Sequence, residues 1–163
     1  MVSATSQPQT ANAITSTQLL DSWLGNRRLT RRTFDAFPEK ELFNFSIGGM
    51  RPASALAQEL LAIAGPGLRE IVHGNTQPFS EAIKLDSKED LLSKWDEATE
   101  EIISLWSQLP VDAFAKEYVL FGMYPGSGWS SVNYFIENEV HHRAQAYVYL
   151  RALGIEPPFF WEK

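Results

Sequence analysis

Residues 130–153, SSVNYFIENEVHHRAQAYVYLRAL, decide the fold. Advanced by about 100° per residue, Val132, Phe135, Ile136, Val140, Ala146, Tyr147 and Leu150 fall on one broad face, the pattern of a helix buried along one side. Gly154 and Pro157-Pro158 stop it. Glu139 and Arg143 lie in the middle of that face, one turn apart, so carboxylate and guanidinium can meet along the helix. Charges set into an apolar stripe must be paired. The spacing therefore predicts a buried structural ion pair, with capture of a ligand's carboxylate or amide by Arg143 as the alternative.

Three more amphipathic segments precede this one. Thr15-Ser16-Thr17-Gln18 has capping-box spacing, and Leu19, Leu20, Trp23, Leu24, Thr30 and Phe34 follow at helical intervals to an end near Pro38. Residues 42–51 contain Gly48-Gly49 and read as a connection. A second helix starts at Pro52 and carries Leu56, Leu60, Ile63, Leu68 and Ile71. Gly65-Pro66-Gly67 predicts a kink or a break within it. Asp86 with Glu89 marks a third start, and Leu91, Leu92, Trp95, Ala98, Ile102, Leu105 and Trp106 form its stripe before Pro110. Residues 110–129 are expected to wrap one end, with Gly126-Ser127-Gly128 as linker and Ser130 and Ser131 as helix-start residues. Four such helices, without a strand pattern or an internal repeat, make an all-α four-helix bundle with long connections. Residues 1–14, polar and small, form a loose tail ahead of a single domain over 15–163.

Composition narrows the chemistry. The 163 residues hold 14 Lys+Arg and 20 Asp+Glu, a net charge of −6 that disfavours nucleic-acid binding. Cysteine is absent, which excludes disulfides, Cys-ligated zinc, iron–sulfur clusters and a protein thiol nucleophile. No apolar run has the length of a membrane span, and the first residues lack the basic start and apolar core of a signal peptide, so a cytoplasmic protein is expected.

Candidate site residues cluster on the last helix. His142 flanks the apolar face with Asn138 one turn before it; His141 points about 100° away, with Glu137 one turn before it. A helix presents two ligands to one metal by such i, i+4 spacing, and a hydrogen-bonded histidine is the simpler account of the same spacing. On the second helix Glu59 lies near the buried face among Ala55, Leu56, Ala62 and Ile63. Antiparallel packing would set it opposite His142, either as a metal ligand or as the hydrogen-bond partner of His142, Arg143 or a tyrosine. Arg27, Arg28, Arg31 and Arg32 form two i, i+4 like-charge pairs, read as a solvated face with acidic partners from the third helix or as an anion patch. Phe159-Phe160-Trp161 should fold back on the bundle or cover a neighbouring subunit.

The run Asn138-Glu139-Val140-His141-His142-Arg143-Ala144-Gln145, continued by Tyr149-Leu150-Arg151-Ala152-Leu153-Gly154-Ile155-Glu156-Pro157-Pro158, resembles the last helix of the DinB/YfiT-like superfamily, whose usual form is close to H-E-x-H-H-R-G-Q followed by L-R-x-x-G-x-x-P-P. Met50-Arg51 likewise resembles that family's M-R-S start to helix two. The resemblance implies a four-helix bundle, often a homodimer, holding a divalent metal (zinc, nickel, iron or manganese) at positions that are Glu59, Asn138 and His142 here, supported by Glu139, His141 and Arg143. Only His142 keeps the family's ligand type. Some members look like metal-dependent S-transferases that activate a low-molecular-weight thiol such as bacillithiol, mycothiol or glutathione, and such chemistry needs no cysteine of the protein's own. The rival reading of the same residues is a non-catalytic, stress-associated binding or interaction protein in which they form a satisfied hydrogen-bond network and no metal binds.

Overall fold

The computed structural model describes residues 14–76, 78–80 and 84–163. The expected tail lies outside them except for Ile14, which is exposed. Helix α1 spans Ser16–Asp35, the short α2 Glu39–Asn44, α3 Ala53–His73, α4 Lys88–Trp106 and α5 Gly128–Ala152, with strands β1 Glu117–Leu120 and β2 Tyr124–Ser127 between the last two helices.

Local chemistry sets these limits. The Thr15 capping box forms as expected, with Gln18 reaching back to the Thr15 amide. At α4 the cap is Ser87 rather than Asp86, because the Ser87 hydroxyl accepts from the Asp90 amide. Pro66 neither breaks nor ends α3, which runs unbroken to His73. A prolyl ring removes one ladder hydrogen bond from a helix, and packing of both neighbouring turns keeps this one whole: Ala62, Ile63, Ala64, Gly67 and Leu68 are all buried. The stretch read as connection partly folds as α2, and the wrap over 110–129 contains an antiparallel hairpin in which Glu117 pairs with Ser127 and Leu120 with Tyr124. The hairpin carries Pro125 and Gly126 in a four-residue strand, so neither its length nor its composition signals a strand in sequence. Gly126 and Ser127 thus belong to β2, and Ser127 also caps α5.

The direction of each helix follows from its contacts. Trp23 packs against Phe135 and Arg27 faces Glu139, so α1 and α5 run parallel; Phe34 meets Trp95 and Trp23 meets Trp106, so α4 opposes α1. Glu59 faces His142 and Gly67 abuts Phe135, so α3 opposes α5 and runs beside α4 in the same direction. Consecutive helices α3 and α4 thus run in the same direction, as in bundles that carry a long crossover connection.

Two apolar clusters fill the interior. One joins Trp23, Leu68, Ile102, Val132 and Phe135; the other joins Phe34, Leu60, Trp95, Ala146 and Leu150. Between them lies a polar layer of Arg27, Thr30, Thr99, Glu139 and Arg143. At Gly67 α3 packs directly on an α5 side chain: a Cβ there would sit 2.5 Å from the Phe135 ring. No helix among the described residues is long and apolar enough to cross a membrane.

Candidate functional site

The polar layer accounts for the charges set into the α5 stripe. Glu139 is buried, accepting from the Thr30 hydroxyl at 2.7 Å and from Trp23 Nε1 at 3.3 Å, with Arg27 Nη1 at 3.7 Å. Its ionic partner is thus Arg27 from α1, not Arg143 as the i, i+4 spacing suggests. Arg143 reaches Glu139 through Thr30, donating to Thr30 Oγ1 at 3.0 Å and to the Asn26 backbone and side-chain oxygens at 3.2 and 3.0 Å. Burial pushes the Glu139 carboxyl up, opposed by Arg27, Thr30, Arg143 and Trp23; burial pushes both guanidiniums down, opposed by Glu139.

The expected solvated arginine face is corrected at Arg27, which is 1% exposed, lies 3.9 Å over the Trp95 ring and donates to Thr99 Oγ1 and the Trp95 carbonyl. Arg31 does find its acidic partner on α4, donating to Asp96 at 2.7 Å, and Arg32 pairs with Glu162 at the chain end. Val140, expected on the apolar face, is exposed, whereas Tyr149, outside the expected set, is fully buried. Phe160 and Trp161 stay 65% and 64% exposed, so the terminal aromatics do not fold into the bundle.

Glu59 and His142 do meet. His142 Nε2 lies 3.1 Å from Glu59 Oε1, and its Nδ1 lies 2.7 Å from Gln145 Oε1. The Nε2–H donates to the carboxylate; at Nδ1, a second ring proton or a half-turn of the Gln145 amide completes the bond. The other Glu59 oxygen is held by Arg51 Nη2 from the residues leading into α3. Burial pushes the Glu59 carboxyl up, but hydrogen bonds from Arg51 and His142 outweigh it and hold the group below the ordinary carboxylate range. Asn138, one turn before His142, has a buried Nδ2 with no partner among the described residues, and His141 is exposed with its ring edge against His142.

These positions suit a bound divalent ion poorly. Glu59 and His142 are strong donors, the neutral amide of Asn138 is a weak one, and among the described residues no three His, Cys, Asp or Glu side chains group to hold a metal. The Arg51 guanidinium already supplies the positive charge beside Glu59 that an ion would bring.

Glu59 instead forms one end of a cleft of about 640 Å³ between α3, α5 and the hairpin, within the usual range for small-molecule sites. Its walls are aromatic: Phe79, Phe121, Tyr124, Tyr134 and Phe135, with Ile63 and Leu120 beneath. Arg51 joins Glu59 at one end, and Ser130 and Ser131 add hydroxyls from the first turn of α5. Burial and the nearby Glu59 carboxylate push the Tyr134 hydroxyl up, keeping it a neutral donor. Phe121 adopts a left-handed φ of 54°, a conformation a bulky side chain rarely takes, and the buried Glu70 carboxylate holds it by accepting its amide at 2.9 Å. Sequence reasoning found Glu59 and missed Arg51, Glu70 and the aromatic walls. Glu70 carries the same signal that marked Glu59, a carboxylate between apolar Leu68 and Ile71; the hairpin residues carry none.

The sequence profile of the DinB family matches residues 7–162. The crystal structure of a DinB-like protein from Bacillus cereus superposes with a TM-score of 0.71 at 16% identity, over 87% of this chain and 95% of that one. A DinB-like protein from Bacillus subtilis gives 0.69 at 21% identity, over 88% of this chain and 97% of that one. Identities this low establish a shared fold. No curated protein matches the chain.

Proposed function

The chain belongs to the DinB family, and on that premise we propose that it is a small-molecule-binding bundle whose ligand sits in the aromatic cleft between α3, α5 and the hairpin. The polar end is the Arg51–Glu59 pair, with His142 orienting Glu59 from behind. One observation carries this reading: the side chain at the family's helix-two ligand position, Glu59, opens onto a cleft of about 640 Å³ and is neutralised by a guanidinium of the chain itself. Aromatic walls supply most of the affinity, and the few polar groups fix orientation.

Titration with the uncharged dye N-phenyl-1-naphthylamine tests it. Binding at one site per chain is expected, weakened at least tenfold in Ser130→Trp, which fills the cleft from the first turn of α5. No binding, or equal binding by the variant, overturns the proposal. Metal analysis of the untagged protein after loading with zinc, nickel or manganese and dialysis should give well under one ion per chain. A full equivalent that His142→Ala abolishes would instead favour the metal-dependent S-transferase reading.

A further inference from the structure

The charge pattern of the cleft selects the class of its ligand. Arg51 and Glu59 are the charged side chains lining it among the described residues, one of each sign and already in contact. A ligand bearing a single charge would satisfy one of them and leave the other beside a like charge or without a partner, which a partly buried site penalises. The nearby N-terminus of α5 does not tip this balance towards anions. Its leading amides are already committed: Gly128 N–H donates to the Lys116 carbonyl at 2.9 Å, Trp129 N–H to the Phe114 carbonyl at 3.0 Å, and Ser130 N–H to Ser127 Oγ at 3.2 Å.

The two members of the pair differ in freedom. Glu59 is held from behind by His142, itself fixed by Gln145, and its side chain is 16% exposed; the Arg51 side chain is 46% exposed and is the one able to swing. A head group presenting an acceptor to Arg51 and a donor to Glu59 converts one ion pair into two without moving the carboxylate. The remaining volume is bounded by rings, which accept an aromatic body edge-on or stacked.

Resting on the reading of the cleft as a ligand site, we infer that its ligand is a small aromatic zwitterion of the α-amino-acid type, carboxylate towards Arg51, ammonium towards Glu59 and ring among Phe79, Phe121 and Phe135. Isothermal titration of the full chain at pH 8 with L-phenylalanine, 2-phenylethylamine and 3-phenylpropanoate keeps the ring and varies the head. The zwitterion should bind at least tenfold more tightly than either singly charged probe. Glu59→Gln should weaken L-phenylalanine at least tenfold while leaving 3-phenylpropanoate unchanged or tighter. The inference is overturned if a singly charged probe binds as tightly as L-phenylalanine, if Glu59→Gln leaves L-phenylalanine unaffected, or if N-phenyl-1-naphthylamine binds while none of the three does; in each case the cleft remains a ligand site of another class. Failure of the dye and all three probes overturns the cleft reading itself.

Discussion

Replacing Glu139 by Gln keeps the volume of the side chain and removes the one anion that faces two buried guanidiniums. The glutamine oxygen can still accept from Thr30, but its NH2 group must then meet Trp23 Nε1–H or the Arg27 guanidinium, donor against donor. Arg27, 1% exposed, has no water to compensate it. Breaking a buried pair by removing one partner costs about 3–5 kcal/mol. For a domain of this length that corresponds to a fall in Tm of about 6–20 °C. Urea and thermal unfolding followed by far-UV circular dichroism measure it, and a double-mutant cycle with Arg27→Met isolates the pairing: the double variant should recover at least about 1 kcal/mol relative to the sum of the singles. A loss below about 1 kcal/mol for Glu139→Gln would refute the reasoning. It would mean that burial holds the carboxyl protonated in the native state and that the arginines are not neutralised by it.

Gly67→Ala drives a methyl into the Phe135 ring, and overpacking of about 1–3 kcal/mol, offset by up to about 1 kcal/mol of helix propensity, should lower the urea midpoint and weaken dye binding, since Phe135 also walls the cleft. An unchanged midpoint would show that the two helices are not in such close contact. The depressed Glu59 carboxyl sets the sign of a pH effect: its pairing contributes fully above the ordinary glutamate value of about 4.3 and is lost as pH falls through the lower folded value. The stability gap between the parent and Glu59→Gln, of about 1 kcal/mol or less at pH 7, should therefore close as pH falls below the ordinary glutamate value, and a gap that widens on acidification would contradict the assignment.

The long helices were legible because their apolar residues recur at 3.6-residue spacing and because capping residues mark starts, correctly at Thr15 and one residue early, at Asp86 instead of Ser87, for α4. Glu59 and His142 could be paired in advance because each interrupts or borders an apolar stripe. The partner of Glu139 could not, since i, i+4 spacing favours Arg143 on the same helix, and only the parallel packing of α1 against α5 brings Arg27 to it. Arg27 itself was disguised by Arg28, Arg31 and Arg32, which make a buried residue look like part of a solvated run. The hairpin wall escaped for a different reason: four-residue strands held by pairing and by Glu70 leave no periodicity to read.

The polar layer between the two apolar clusters also acts as an alignment key. Apolar surfaces tolerate sliding, because one leucine against another costs little to exchange. A displacement of α5 along α1 by one helical turn, about 5.4 Å, would carry Glu139 away from Arg27 and Thr30 and set Phe135 or Arg143 in its place, leaving the buried Arg27 beside a ring or a like charge. A few residues thus encode the stagger of the whole bundle, and either apolar half can change its side chains extensively without making the arrangement of the helices ambiguous.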